Sequence, residues 1–202
     1  MSFLDLFRKK QNPHEMRNYL ISEIKKAVQR WEKDDIYVIS LYVCDNMDNP
    51  CEPTVTLGYN TEENYRASLE DASGKLEARW NYAFWLQNEE FVFGNGKTQP
   101  IVKRWIAQHG YRYYSFDEMF HGSDEPDPDT FEGITHDFVN VLVEVVQHLH
   151  ASGFMMQQFN RPVPIIIHEL EYYEEIARQN FTANPGYIEE LKDFARFCDG
   201  ED

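Results

Sequence analysis

Residues 36–60, IYVISLYVCDNMDNPCEPTVTLGYN, read as two strands joined by a polar turn. Residues 36–43 are β-branched and aromatic and place apolar side chains on both faces, the composition of a central strand covered on two sides. Asp45, Asn46, Asp48, Asn49 and Pro50 supply the polar and rigid side chains that turns use. Pro53 has no N–H to give to a ladder, so the second strand starts there at the earliest and is read over 54–59. Strands joined so closely pair most simply as antiparallel neighbours.

The flanks extend this pair. Asn12 suits a helix N-cap and Pro13 the first helical position. Met16, Tyr19, Leu20, Ile24, Ala27, Val28 and Trp31 then recur at helical spacing, one buried stripe over residues 13–31. Asn60 or Thr61 caps a second helix whose first turn holds Glu62 and Glu63, acids that favour the positive end of the helix dipole. Residues 79–86, RWNYAFWL, are expected as a third strand, with a loop packed on the sheet as the alternative, and 89–93 as a short partner strand. Residues 100–109 predict a short helix. Phe131, Ile134, Phe138, Val141, Leu142, Val145 and Leu149 predict the main buried helix over 131–150. Residues 164–168, PIIIH, predict a buried strand, and the long helix before it permits a parallel crossover. Helices are expected over 170–179 and 185–198. The result is a single α+β domain, with mixed α/β as its alternative. A central, mainly antiparallel sheet of about four or five strands is packed by helices. Residues 1–12 are expected as a short appendage, 13–198 as the domain and 199–202 as an acidic tail.

The segments YVISLYV, YNTEEN and RWNYAFW together resemble an uncharacterised bacterial family known only as a domain of unknown function. There a similar strand precedes an Asn-Thr-Glu-Glu segment, here Asn60-Thr61-Glu62-Glu63, and a tryptophan-containing segment, here Trp80 to Trp85. The likeness covers residues 13–85. This chain departs from the family in a longer hairpin and an expanded stretch over 89–131. The resemblance implies no established activity. Some such domains are suspected immunity proteins against secreted toxins, which makes that role a lead.

Charge limits the partners. The chain carries 19 basic and 35 acidic residues, a formal net charge of −16. Such a surface repels phosphate backbones and anionic headgroups, so neither nucleic acid nor membrane is an expected ligand. It steers basic proteins inward. No apolar run reaches the roughly 20 residues that a spanning helix needs. Phe3, Leu4, Leu6 and Phe7 precede their basic residues, the reverse of a secretory signal, and are expected as a short helical turn. Cys44, Cys51 and Cys198 are an odd set without metal-type spacing, expected as free thiols in a reducing, cytoplasmic compartment.

Catalytic and metal motifs fail one by one. Gly94-Asn95-Gly96-Lys97-Thr98 has half of a phosphate loop, but Phe91 stands where the first glycine belongs. The acidic run at Asp124 has Asp129 where a calcium loop needs glycine. His136, Glu144 and His148 share a helix without the second set of ligands that a bundle metal site takes. His168-Glu169, at the end of an apolar strand, is the best-placed polar pair, and a histidine capping a buried strand is its commoner use. Cys44 ends a strand with no basic neighbour in sequence to activate it.

These readings point to a non-enzymatic, cytoplasmic, acidic module that binds a basic protein, an immunity protein being the sharpest version. No cofactor or metal is expected. Tyr111, Tyr113 and Tyr114 beside Asp124, Glu125, Asp127 and Asp129 combine aromatic and acidic side chains, a plausible contact surface for a basic partner. The alternative is a hydrolase or transferase using scattered Asp, Glu and His. A pocket holding His168 or Cys44 beside a carboxylate would favour it.

Overall fold

The computed structural model describes residues 12–121 and 128–201. The 36–60 stretch forms β1 (Ile36–Asp45) and β2 (Pro53–Thr61), paired antiparallel with Leu41 opposite Leu57. β3 (Phe91–Phe93) adds antiparallel to β2, and β4 (Ile165–His168) adds parallel to β1 with Tyr42 opposite His168. The order is β3-β2-β1-β4, so the sheet is mixed and β1 is central, as its apolar faces require.

Alternation along β1 divides the core. Ile39, Leu41 and Val43 face a large cluster with α1 (Glu15–Arg30), α4 (Gln99–Gln108), α6 (Pro128–Ala151) and α7 (Phe154–Phe159). Tyr37 and Val38 face a second cluster with α3 (Lys75–Trp80), α8 (Glu174–Ala183) and α9 (Ile188–Cys198). A register shift between Ile36 and Val38 turns Ile36 back to the first cluster, which a strict two-residue period would not allow. The chain is therefore a single α+β domain with helices on both faces of the sheet.

The expected strand over 79–86 is not a strand. Arg79 and Trp80 end α3, and Tyr82–Phe84 is one 3₁₀ turn. Asn81 makes the break. Its N–H bonds Glu77 C=O, closing α3, while its Oδ1 accepts the Ala83 N–H, opening the turn. Trp80 and Trp85 are buried as core side chains, and Trp85 Nε1 donates to Arg79 C=O at 2.8 Å. The third strand is instead the short one expected over 89–93.

α2 (Glu62–Ser68) starts where expected, with Thr61 Oγ1 accepting the Asn64 N–H at 3.1 Å. The Asn-Thr-Glu-Glu segment and the tryptophan segment meet here. Arg79 lies 4.0 Å from the Tyr37 ring centre and binds Glu62 through both terminal nitrogens. Buried Asn60 donates to Tyr37 Oη and accepts from Asn64 Nδ2.

β4 lies at a sheet edge, yet its outer backbone groups are taken. Asn184 Oδ1 accepts the Ile165 N–H and its Nδ2 donates to Ile165 C=O, both at 2.8 Å. Asn180 treats Ile167 in the same way. Four residues apart, one in α8 and one at its C-cap, the two amides stand in for a fifth strand and close an edge that would otherwise invite pairing.

Of the expected appendage only Asn12 is described; residues 1–11 and Asp202 lie outside the described residues. Among the described residues no helix is long and apolar enough to cross a membrane.

Candidate functional site

β1 and β4 run parallel, so their carboxyl ends open at one side of the domain. Asp45 ends β1 and Glu169 follows β4. α6 and α8 flank this side and leave a groove of about 460 Å³. Phe131, Thr135 and Val139 line one wall, spaced four apart on α6, with Tyr173 and Ile176 opposite. Ile134, Phe138 and Leu142 turn the other face of α6 into the core. A second, mixed face of α6 meets the groove, with Phe131 and Val139 set among Glu132, Thr135 and His136. Pro50 and Glu169 close one end. Leu170 is 66% exposed and Tyr173 44%, apolar surface standing in water beside the groove.

The carboxylates here are held at a cost. Burial pushes the Asp45 carboxyl up to about 6, with Glu169 and then Asp48 adding repulsion. Burial also raises Glu169, and Glu171 adds to it. Among the described residues, none of Asp45, Asp48, Glu169 and Glu171 forms an ion pair. A cation arriving here would favour the charged forms and relieve the repulsion. The hairpin tip lies near Asp45, whose carboxyl Asp48 repels. Met47 and Asp48 hold φ of 54° and 56°, a region that side chains seldom enter, and Met47 is 65% exposed.

The aromatic segment expected as a contact surface forms a strap within the fold. Tyr114 is buried against Phe131, with ring centres 5.8 Å apart. Tyr111 and Tyr113 are half-buried. Tyr111 Oη donates to Asp137 of α6 at 2.9 Å, and Tyr113 Oη donates to Glu52 of the hairpin. Asn49 Nδ2 donates to Tyr114 C=O at 3.0 Å. The strap ties the hairpin to α6 and so fixes one end of the groove. Asp129 is exposed in the first turn of α6. Asp124, Glu125 and Asp127 lie outside the described residues.

His168 has a satisfied, buried position. Its Nδ1 lies 2.9 Å from Glu169 C=O, which only accepts, so Nδ1 carries the proton. Nε2 then accepts the Ser40 hydroxyl at 2.8 Å. Tyr42, Tyr82, Trp85 and Tyr172 surround the ring. This tautomer is the one a serine nucleophile needs, but Ser40 and His168 are 2% and 1% exposed. Burial holds the imidazole down to about 4, which makes it a weak base. Cys44 is exposed, Cys51 and Cys198 are buried, and all are free thiols. Gly94 and Thr98 bond each other, N–H to Oγ1 at 2.8 Å, so that glycine turn is occupied by its own chain. Glu144 pairs with Arg17, and among the described residues no three His, Cys, Asp or Glu gather as a metal would require.

Sequence reading missed the groove. Phe131 was read into the buried stripe of α6, and Thr135 and Val139, one and two turns on, were not read as a wall. No family model, curated protein or solved structure matches the chain.

Proposed function

We propose that this protein is a non-enzymatic binding module that engages a basic protein through the α6–α8 groove. One observation carries the reading: an apolar groove shares its rim with carboxylates that have no cationic partner among the described residues. Apolar side chains of the partner fill the groove, and its Lys or Arg side chains meet Glu169 and Asp45. The net charge of −16 supports the same partner by steering it inward. A cytoplasmic immunity protein, neutralising a basic toxin, is the sharpest form of this proposal. Its support is the charge and the resemblance over residues 13–85.

The test is affinity capture from the source-cell lysate at low and high salt, using the wild type and Thr135→Arg. A basic protein held at low salt, weakened at high salt and lost with the variant is the expected result. No stoichiometric partner at either salt sinks the proposal.

The alternative, a hydrolase or transferase, has the Ser40–His168 hydrogen bond in its favour. A fluorophosphonate probe that labels the wild type and not Ser40→Ala would establish it. Burial of both groups predicts no labelling.

A further inference from the structure

The groove restricts the backbone conformation of whatever enters it. An extended segment gains affinity by adding to a sheet edge. The edge beside this groove is β4, and the outward N–H and C=O of Ile165 and Ile167 are all bonded to Asn184 and Asn180. An extended chain laid here would bring its own peptide groups against Val139 and Ile176 with no backbone to bond. A helix satisfies those groups internally. The walls suit it as well. Phe131, Thr135 and Val139 form a ridge of i, i+4 spacing, and the trough between two packed helices receives the ridge of a third. From Phe131 to Val139 the wall runs about 12 Å at the helical rise, which accommodates about two turns.

Charge fixes the flanks. Glu132 and Glu169 line the groove, and Asp45 lies near enough to Glu169 to be repelled by it. A second copy of this chain carries the same net charge of −16 and is opposed by repulsion. Resting on the binding reading above, we propose that the partner presents an amphipathic basic helix. Apolar side chains at i and i+4 enter between α6 and α8, and Lys or Arg beside them meets Glu132 and Glu169.

The test uses the full-length, isotope-labelled protein and synthetic peptides of about 14 residues, long enough to cover two turns with flanks. One is a Leu/Lys amphipathic helix. The second has the same length and charge, with two central Leu residues replaced by prolines. The third is a Leu/Glu helix. Amide shifts are mapped by NMR, and peptide helicity is followed by circular dichroism. The Leu/Lys helix is expected to shift Thr135, Val139, Leu170 and Ile176, to gain helicity, and to bind at least tenfold more tightly than either other peptide. Thr135→Arg is expected to abolish those shifts while leaving the remaining spectrum unchanged. If the proline-broken peptide binds the groove equally well, the helix inference is wrong and the binding reading survives. If neither Leu/Lys peptide shifts groove residues, both fail. Equal binding by the Leu/Glu helix removes the basic requirement and overturns this inference.

Discussion

Asn180 engages Ile167 with both ends of its side-chain amide: Oδ1 accepts the Ile167 N–H and Nδ2 donates to the Ile167 C=O, each at 2.8 Å. A helix side chain here completes a sheet. Asn180→Ala leaves the buried Ile167 N–H without its partner, while Gln179 Nε2 still reaches the Ile167 C=O at 3.3 Å. The expected loss is that of one orphaned buried group, about 1–3 kcal/mol in urea unfolding, with a rise in aggregation as the β4 edge opens. Asn180→Asp retains the shape but cannot donate to Ile167 C=O, and it is expected to be no better. An Asn180→Ala variant within about 0.5 kcal/mol of wild type would show that solvent replaces the seal.

This pair also shows where sequence reading stopped. The helix expected over 170–179 is found at Glu174–Ala183, four residues later at each end. Asn180 and Asn184 looked like polar positions near a helix end. Their partners lie in β4, and no local pattern encodes that distance. β1 and β4 were legible because burial on both faces demands β-branched runs, and β2 because its buried residues alternate with partly exposed ones after a clear turn. The 79–86 segment misled because Trp80, Tyr82 and Phe84 alternate like a strand, while one polar residue, Asn81, breaks the backbone. α5 (Phe116–His121) went unread although Ser115 and Glu118 form a capping box, a signal that the sequence does contain. The groove needs two helices side by side, and only one of its walls was written as a stripe.

The strap makes Gly133 testable. A Cβ there would lie 2.7 Å from Tyr111 Oη and 2.8 Å from its ring. Glycine in mid-helix normally costs about 1 kcal/mol relative to alanine. Gly133→Ala in the wild type is expected to destabilise nonetheless, because Tyr111 must leave Asp137. In a Tyr111→Ser background the same change is expected to stabilise by about 0.5–1 kcal/mol. A sign change across this double-mutant cycle, read by thermal unfolding, is the prediction. The same sign in both backgrounds would mean that the Tyr111 contact with α6 is not what limits residue 133.

His168 predicts acid sensitivity. Its ordinary value of 6.5 falls to about 4 in the fold because burial disfavours the charged ring. The unfolded chain therefore binds a proton first as pH drops. Stability contributed by the neutral ring is present above 6.5 and is lost as pH falls toward 4, by up to about 3 kcal/mol. His168→Gln removes this slope. The wild-type minus His168→Gln difference, from urea melts across that window, is expected to shrink steadily with acid. A difference independent of pH would show that the ring titrates alike in the folded and unfolded chain.

Asp45 opposes that slope. Its carboxyl is raised from 3.8 to about 6, by burial first and Glu169 second, so the fold holds a proton that the unfolded chain has released. The stability this adds is present at low pH and is lost as pH rises through 6. Asp45 is only partly covered, and solvent screening limits the effect to about 1 kcal/mol or less. Asp45→Asn is therefore expected to stabilise the free protein slightly at neutral pH, with the gain vanishing below 4. The same variant is expected to weaken a basic partner several-fold, most at low salt. The two effects share one cause, since the repulsion that Asp45 and Glu169 suffer alone is the attraction they offer a cation. A variant that gains stability and keeps full affinity would separate them and place the partner's charge contact elsewhere.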